Sequence, residues 1–261
     1  VILKYYYWFF ISAIPPEVCD QIIEIGLNKM ADQEETFGKD ITNATVGGWR
    51  QKNENSTVPV QDHTVSGLQK KKIDPASVYV RDSNVTFLDD PSLYQLIWPY
   101  IHKANASAGW NFDWDYTENF QFTKYSKGQF YGWHTDANEH VYDNFDPEIH
   151  AIHKNQDGTP MIDMGGAEMP EEFHRTTNQQ MVGKIRKLSV TVSLNDPAQY
   201  SGGNLRFDLG PHRPDRYHLC TEIRPKGSIV VFPSHVHHQV TPVTKGTRFS
   251  LVCWNLGKPW K

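Results

Sequence analysis

His134-Thr135-Asp136 closes a strand-like run, and side chains two apart in a strand point to the same face, so an imidazole and a carboxylate converge on one point. With 12 histidines in the chain, a chance His-x-Asp is expected about once in two such sequences, and a surface histidine beside an acid is the other reading of the pair. A third ligand must come from His235, His237 or His238. Thr244-Lys245-Gly246 reads as a three-residue hairpin loop with glycine in the left-handed position. That register pairs Val243 with Thr247, Pro242 with Arg248 and His238 with Val252. It puts His238 on the face of Arg248, Ser250, Val252 and Trp254, and leaves His235 and His237 as surface or supporting residues. A slip of one residue would reverse that assignment.

Two histidines and one carboxylate leave open positions on an octahedral ion, which suits iron(II) oxygenases, although a catalytic zinc site takes a similar set. Arg248 discriminates. Ten residues after His238 and on the same face, its guanidinium fork can clamp a carboxylate bidentately. 2-Oxoglutarate has a keto acid end to chelate the metal and a second carboxylate for such an arginine. A surface strand arginine is the alternative.

The elements that must carry these residues follow from periodicity. An apolar, aromatic stretch from Tyr5 to Ile14 reads as a strand, too short to span a bilayer and lacking a cleavage site. Pro15-Pro16 opens a helix with Val18, Ile22, Ile25 and Met30 on one face. Ala31 to Ser77 reads as irregular with one or two short strands. Val78 to Leu88 reads as a strand. Pro91 to Ala104 reads as a helix with Leu93, Ile97, Tyr100 and Ala104 on one side, kinked or split at Pro99. From Asn119 the pattern turns to short strands separated by Gly, Pro and Asn: Phe120–Tyr125, Phe130–Thr135, Leu188–Leu194, Asn204–Asp208, Ser228–Phe232, His238–Val243 and Thr247–Trp254. No repeat or linker divides the chain, so one domain over 1–261 is expected. Its N-terminal strand and helices would occupy 1–118 and its β core 119–257, with an insertion at 137–181.

That insertion is acidic. Glu139, Asp143, Asp146, Glu148, Asp157, Asp163, Glu168, Glu171 and Glu172 face only Lys154 and Arg175. It is expected to act as a lid favouring a neutral or basic substrate, a solvated decoration being the alternative; Asn138 at its start would touch substrate. The net charge of -4, with Lys70 to Lys72 as one short basic run, excludes a nucleic-acid footprint. Cys19, Cys220 and Cys253 are too few and odd in number for a disulfide framework, which places the chain in a reducing, cytoplasmic setting. The N-x-S/T triplets at Asn43, Asn55, Asn84 and Asn105 read as chance.

The segment Gln121-Phe-Thr-Lys-Tyr125-x-x-Gly128-x-x-Tyr131-x-x-His134-x-Asp136 resembles the prolyl 4-hydroxylase branch of the 2-oxoglutarate/iron(II) dioxygenases, and most of all its PKHD-type members. Leu188 to Pro197 followed by Tyr200-Ser-Gly-Gly-Asn-Leu205 is similar to the family's central strand pair. Pro225 to Ser234, His238 to Arg248 and then Trp254 are similar to its closing motif, with a weaker echo at Arg81-Asp-Ser-Asn-Val85. The resemblance implies a mainly β fold with flanking helices around a double-stranded β-helix, or jelly-roll, core. It implies iron(II) on His134, Asp136 and His238, the distal 2-oxoglutarate carboxylate on Arg248, a hydrogen bond from Tyr125 to the co-substrate, and Trp254 in the pocket wall. Gly202-Gly203 would be structural. Dioxygen is the further co-substrate and ascorbate an accessory reductant. The implied substrate is a prolyl residue in a peptide or protein. Rival readings are a hydroxylase of a free amino acid, small metabolite or alkylated base, the last disfavoured by the acidic insertion, and a non-catalytic ligand- or metal-binding β-helix protein. Oligomeric state is not legible.

Overall fold

A computed structural model describes residues 3–38, 41–46, 81–137, 140–144, 153–154, 160–161 and 175–260 of the chain. In chain order the elements are β1 (Trp8–Phe10), α1 (Pro16–Phe37), β2 (Asn43–Val46), β3 (Arg81–Leu88), α2 (Pro91–Ser107), β4 (Tyr116–Thr117), β5 (Phe120–Tyr125) and β6 (Phe130–His134). The pairs β7 (Asp143–Asn144), β8 (His153–Lys154), β9 (Pro160–Met161) and β10 (Arg175–Thr176) follow. The chain continues through β11 (Ile185–Ser193), β12 (Tyr200–Gly202), β13 (Leu205–Asp208), β14 (Tyr217–Leu219), β15 (Ile229–Pro233), β16 (His238–Val240), β17 (Val243–Gly246) and β18 (Arg248–Gly257).

Among the described residues, twelve strands form one curled antiparallel sheet in the order β1-β15-β11-β18-β5-β3-β6-β16-β13-β14, with β2 beside β3 and β4 beside β18. The architecture is mainly β with two flanking helices, the jelly-roll expected. The helices pack against one face of its larger half. Alternation along the strands explains why. Phe120 and Phe122 of β5, Leu188, Val190 and Val192 of β11, and Leu251 and Cys253 of β18 share a core with Ile22 and Met30 of α1 and Leu93, Ile97 and Ile101 of α2. The opposite face of the same strands carries Gln121, Thr123 and Tyr125, Ser189, Thr191 and Ser193, and Arg248 and Ser250, all buried.

Several expected bounds shift. α1 runs on to Phe37, and its buried positions are Cys19, Ile22, Gly26 and Met30, while Ile25 is exposed. Gly26 takes the packed position because a Cβ there would lie 2.4 Å from the Phe122 ring. Ala31 to Ser77 reads as irregular with one or two short strands; its first residues instead continue α1 to Phe37, β2 is one short strand of the kind expected, and residues 39–40 and 47–80 lie outside the described set. The strand expected over Tyr5–Ile14 shortens to Trp8–Phe10, the part that pairs with β15. Pro99 does not divide α2, which is one helix capped by the Asp90 side chain. The insertion 137–181, expected to act as a lid, lies largely outside the described residues, and Asn138 and the Lys70 to Lys72 run lie wholly outside them.

Candidate metal and co-substrate site

The expected hairpin register does not form. β17 pairs with β12 (Tyr200↔Gly246), β18 pairs with β11 and β5, and β16 lies between β6 and β13. Gly246 does adopt the left-handed conformation, at φ 71°. The 244–246 segment, however, crosses from one half of the curled sheet to the other instead of folding back on its neighbour. His238 therefore pairs directly with His134, and Arg248 with Tyr125. These direct pairings bring the candidates together by a different route from the one the hairpin suggested.

One nitrogen or oxygen from each of His134, Asp136 and His238 lies within 4.8 Å of the others. His134 Nε2 is 3.5 Å from Asp136 Oδ1, and His238 Nε2 is 3.6 Å from Oδ2. Each ring is oriented from behind: His134 Nδ1 is 2.8 Å from the Gly132 carbonyl and His238 Nδ1 is 3.0 Å from the Val236 carbonyl. A carbonyl only accepts, so both Nδ1 atoms carry the proton and both Nε2 lone pairs face the carboxylate. Asp136 follows the end of β6, where its backbone N–H and that of Ala137 donate to the Ser234 carbonyl. Ser234 is tied in turn to Ser189 through their hydroxyls.

Burial and the neighbouring His134 push the His238 imidazole down to about 4. Burial works against ionisation of Asp136, but His238 and His134 beside it hold its carboxyl well below the usual range. At neutral pH the cluster thus presents a neutral His238 imidazole and the Asp136 carboxylate, the forms in which those two side chains bind a divalent ion. The donor set fits iron(II).

Arg248 is 2% exposed and its Nη1 donates to Ser250 Oγ at 3.1 Å. Its guanidinium sits 5.5 Å from the centre of the Tyr125 ring, and no carboxylate pairs with it among the described residues. A buried cation with one hydroxyl partner and no carboxylate among the described residues can seat an anion. Gly203 permits it: a Cβ there would come within 2.9 Å of Arg248 Cδ, and Gly202 and Gly203 both have positive φ. Trp254 is buried on the same face of β18, and its indole N–H is buried without a hydrogen-bond partner among the described residues. His235 and His237 are exposed, as expected for residues outside the cluster.

Three charged residues near the site were not singled out from sequence. Arg186 makes a bidentate ion pair with Glu118 (2.6 and 2.7 Å) and stacks on Trp254 at 4.0 Å. Arg81 is buried over the Tyr131 ring at 4.7 Å, Tyr131 itself stacking on His134 at 3.5 Å. Arg81 Nε donates to Ser83, and its Nη2 is buried with no partner among the described residues. Arg81 opens a strand and Arg186 lies near the start of another, an arginine placed where a core residue is expected, which is the one local signal available.

Residues 120–255, just over half of the 261, match the family model described as the 2OG-Fe(II) oxygenase superfamily. The chain belongs to the 2OG-Fe(II) oxygenase superfamily. The cofactors of this superfamily are iron(II), 2-oxoglutarate and dioxygen, and the matched span contains His134, Asp136, His238 and Arg248. Among curated relatives of this 2OG-Fe(II) oxygenase, a PKHD-type hydroxylase of Paraburkholderia phytofirmans is 39% identical over 26% of this chain and 27% of that protein. One from Picosynechococcus is 38% identical over 30% of this chain and 33% of that protein. The chain thus aligns with about a quarter to a third of the length of these relatives. Two solved structures share the fold: a viral collagen prolyl hydroxylase from Paramecium bursaria Chlorella virus-1 (TM-score 0.52, 15% identity, 97% of each chain) and a Pseudomonas putida prolyl-4-hydroxylase (TM-score 0.52, 14% identity, 98% of this chain and 95% of that one). Among the described residues no helix is long and apolar enough to cross a membrane.

Proposed function

We propose that this chain is a hydroxylase that couples conversion of 2-oxoglutarate to succinate with hydroxylation of a prolyl residue in a peptide or protein. The observation that carries the reading is the meeting of His134, Asp136 and His238 in one curled sheet whose same inner face holds the buried Arg248, which has no carboxylate partner among the described residues. When bound, iron(II) supplies oxidative decarboxylation of the keto acid and transfer of one oxygen atom into a substrate C–H bond. The protein's part is to hold and orient. His134, Asp136 and His238 offer three donors and leave the other positions to co-substrate and dioxygen. Arg248 and Ser250 hold the distal carboxylate, with Tyr125 packed beside them. Trp254 closes the wall against water and leaves an indole N–H for a substrate carbonyl.

The prolyl substrate is supported by the names of the relatives, PKHD-type and prolyl hydroxylase. A second reading, a free amino acid or another small acid, is favoured by Arg81, whose buried and incompletely bonded guanidinium suits a carboxylate. Oxygen-dependent succinate release, measured with prolyl peptides beside free amino acids, tests both. Stimulation by peptides alone upholds the first reading and stimulation by free acids alone the second. Absence of any 2-oxoglutarate turnover with iron(II) present removes both and leaves a binding protein.

A further inference from the structure

The two histidines do not by themselves decide how Asp136 would serve a metal. His134 Nε2 lies 3.5 Å from one carboxylate oxygen and His238 Nε2 lies 3.6 Å from the other, so the rings meet the carboxylate almost symmetrically. A third group breaks that symmetry. The hydroxyl of Ser189, on the inner face of β11, hydrogen-bonds to the Asp136 carboxylate. It also lies 2.9 Å from the hydroxyl of Ser234, and both serines are fully buried.

The direction of these bonds follows from the donors available. An ionised carboxylate only accepts, so the Ser189 hydroxyl donates to it. Each hydroxyl has one proton, so Ser234 is the donor to Ser189. The row therefore runs one way, from Ser234 through Ser189 to Asp136. Backbone bonds fix both ends. The Ser234 N–H donates to the Lys187 carbonyl at 2.9 Å, and the Ser234 carbonyl accepts from the N–H groups of Asp136 and Ala137, both at 2.9 Å. Ser189 sits in the ladder between Phe232 of β15 and Trp254 of β18. A hydroxyl buried in this way keeps the partner it has.

We propose that Ser189, backed by Ser234, is a positioning residue that limits Asp136 to one metal-binding oxygen. The oxygen that accepts the Ser189 bond is the weaker donor to a cation, and the bond fixes the plane of the carboxylate. The consequence is a matter of places around the ion. An octahedral ion has six positions. Two imidazoles and one oxygen leave three, enough for the keto acid end of 2-oxoglutarate and one further small ligand. Two imidazoles and both oxygens leave two, which the keto acid end fills. The serine pair thus keeps the last place open. The proposal rests on the iron-dependent reading above.

Nitric oxide, a small ligand that takes a free position on iron(II), is the probe. Oxygen-free, iron(II)-loaded protein is titrated with it, with and without 2-oxoglutarate, and followed by electron paramagnetic resonance. The parent should bind nitric oxide in both states. Ser189→Ala should bind iron(II), 2-oxoglutarate, and nitric oxide in the absence of 2-oxoglutarate, much as the parent does. With 2-oxoglutarate present its nitric oxide affinity should fall by about tenfold or more, the scale on which groups behind metal ligands act. Ser189→Thr, which keeps the hydroxyl, should restore the parent's response. Ser234→Ala leaves Ser189 its proton without its fixed direction, and should show the same split at smaller amplitude; it decides the matter if Ser189→Ala does not fold. A packing role alone predicts a lower melting temperature and no dependence on 2-oxoglutarate. Parent-like nitric oxide binding in the 2-oxoglutarate-loaded variant, or loss of iron(II) from folded Ser189→Ala, overturns the proposal. A parent protein that binds no iron(II) removes the iron-dependent reading and this proposal with it, whereas a parent that binds it beside an unresponsive variant removes the proposal alone.

Discussion

The two faces of β5, β11 and β18 are both buried, yet they are made of different chemistry. The helix-side face sets Phe122, Val190 and Leu251 against α1 and α2. The inner face of the same strands sets Thr123 beside Ser250 and Tyr125 beside Arg248, with Ser189 behind the metal cluster. Dense apolar packing on one side provides stability without hydrogen-bond requirements. On the other side, each buried polar group must find a partner, and those left without one among the described residues, such as the Trp254 N–H, or with a single hydroxyl, such as Arg248, point to a ligand. The contrast teaches that burial alone does not mark core in this fold; the partner of the buried group does.

Three substitutions and one labelling experiment would break or sharpen this contrast. Asp136→Ala, on the inner face, should abolish iron(II) binding and succinate formation while the fold survives, because it empties the centre of the ligand set. Isothermal titration with manganese(II) and a thermal melt check both parts; a metal-competent Asp136→Ala protein would sink the assignment. Phe122→Ala, on the helix-side face, should do the reverse. It should lower stability by about 3–5 kcal/mol, as for large truncations in packed cores, with iron affinity retained in whatever remains folded. Denaturant titration beside metal binding reads the split, and a loss of less than about 1 kcal/mol would deny that this face is the tight one.

Arg248→Ala should raise the apparent KM for 2-oxoglutarate by the equivalent of about 2–4 kcal/mol and leave metal affinity near that of the parent. Unchanged co-substrate kinetics would return Arg248 to a packing role. The smallest effect concerns the thiols. Burial pushes Cys19 up to about 11, and burial likewise raises Cys220 and Cys253. A raised thiol pKa leaves the neutral, unreactive form dominant at pH 8, so iodoacetamide should label none of the three until the protein is denatured. Rapid labelling of the native protein, read by mass spectrometry, would show that one wall opens.

Much of the local structure was legible because it is written in short-range pattern. Phe120–Tyr125 is the expected strand, and Leu93, Ile97 and Ala104 form the expected helical face. His134-x-Asp136 needs only strand alternation and the bend after β6 to converge. The expected hairpin failed for a reason of the same kind. Thr244-Lys245-Gly246 has the composition of a tight turn, and Gly246 does take positive φ, but local conformation does not say which strand receives the chain next.

The amino-acid sequence by itself determined the candidate ligand types, their approximate places on strands, the two helices and the likeness to an oxygenase family, because each depends on residues near one another in the chain. Only the tertiary structure decided that His238 faces His134 across a ladder, that Arg248 lies beside Tyr125, and that Arg186 is neutralised by Glu118 while Arg81 has no carboxylate partner among the described residues. It alone placed Tyr7 against Phe207, 200 residues away in the chain. The physical reason is the curling of the sheet. Strand alternation assigns a side chain to a face, but which distant face it meets depends on pairings between strands that no local preference encodes.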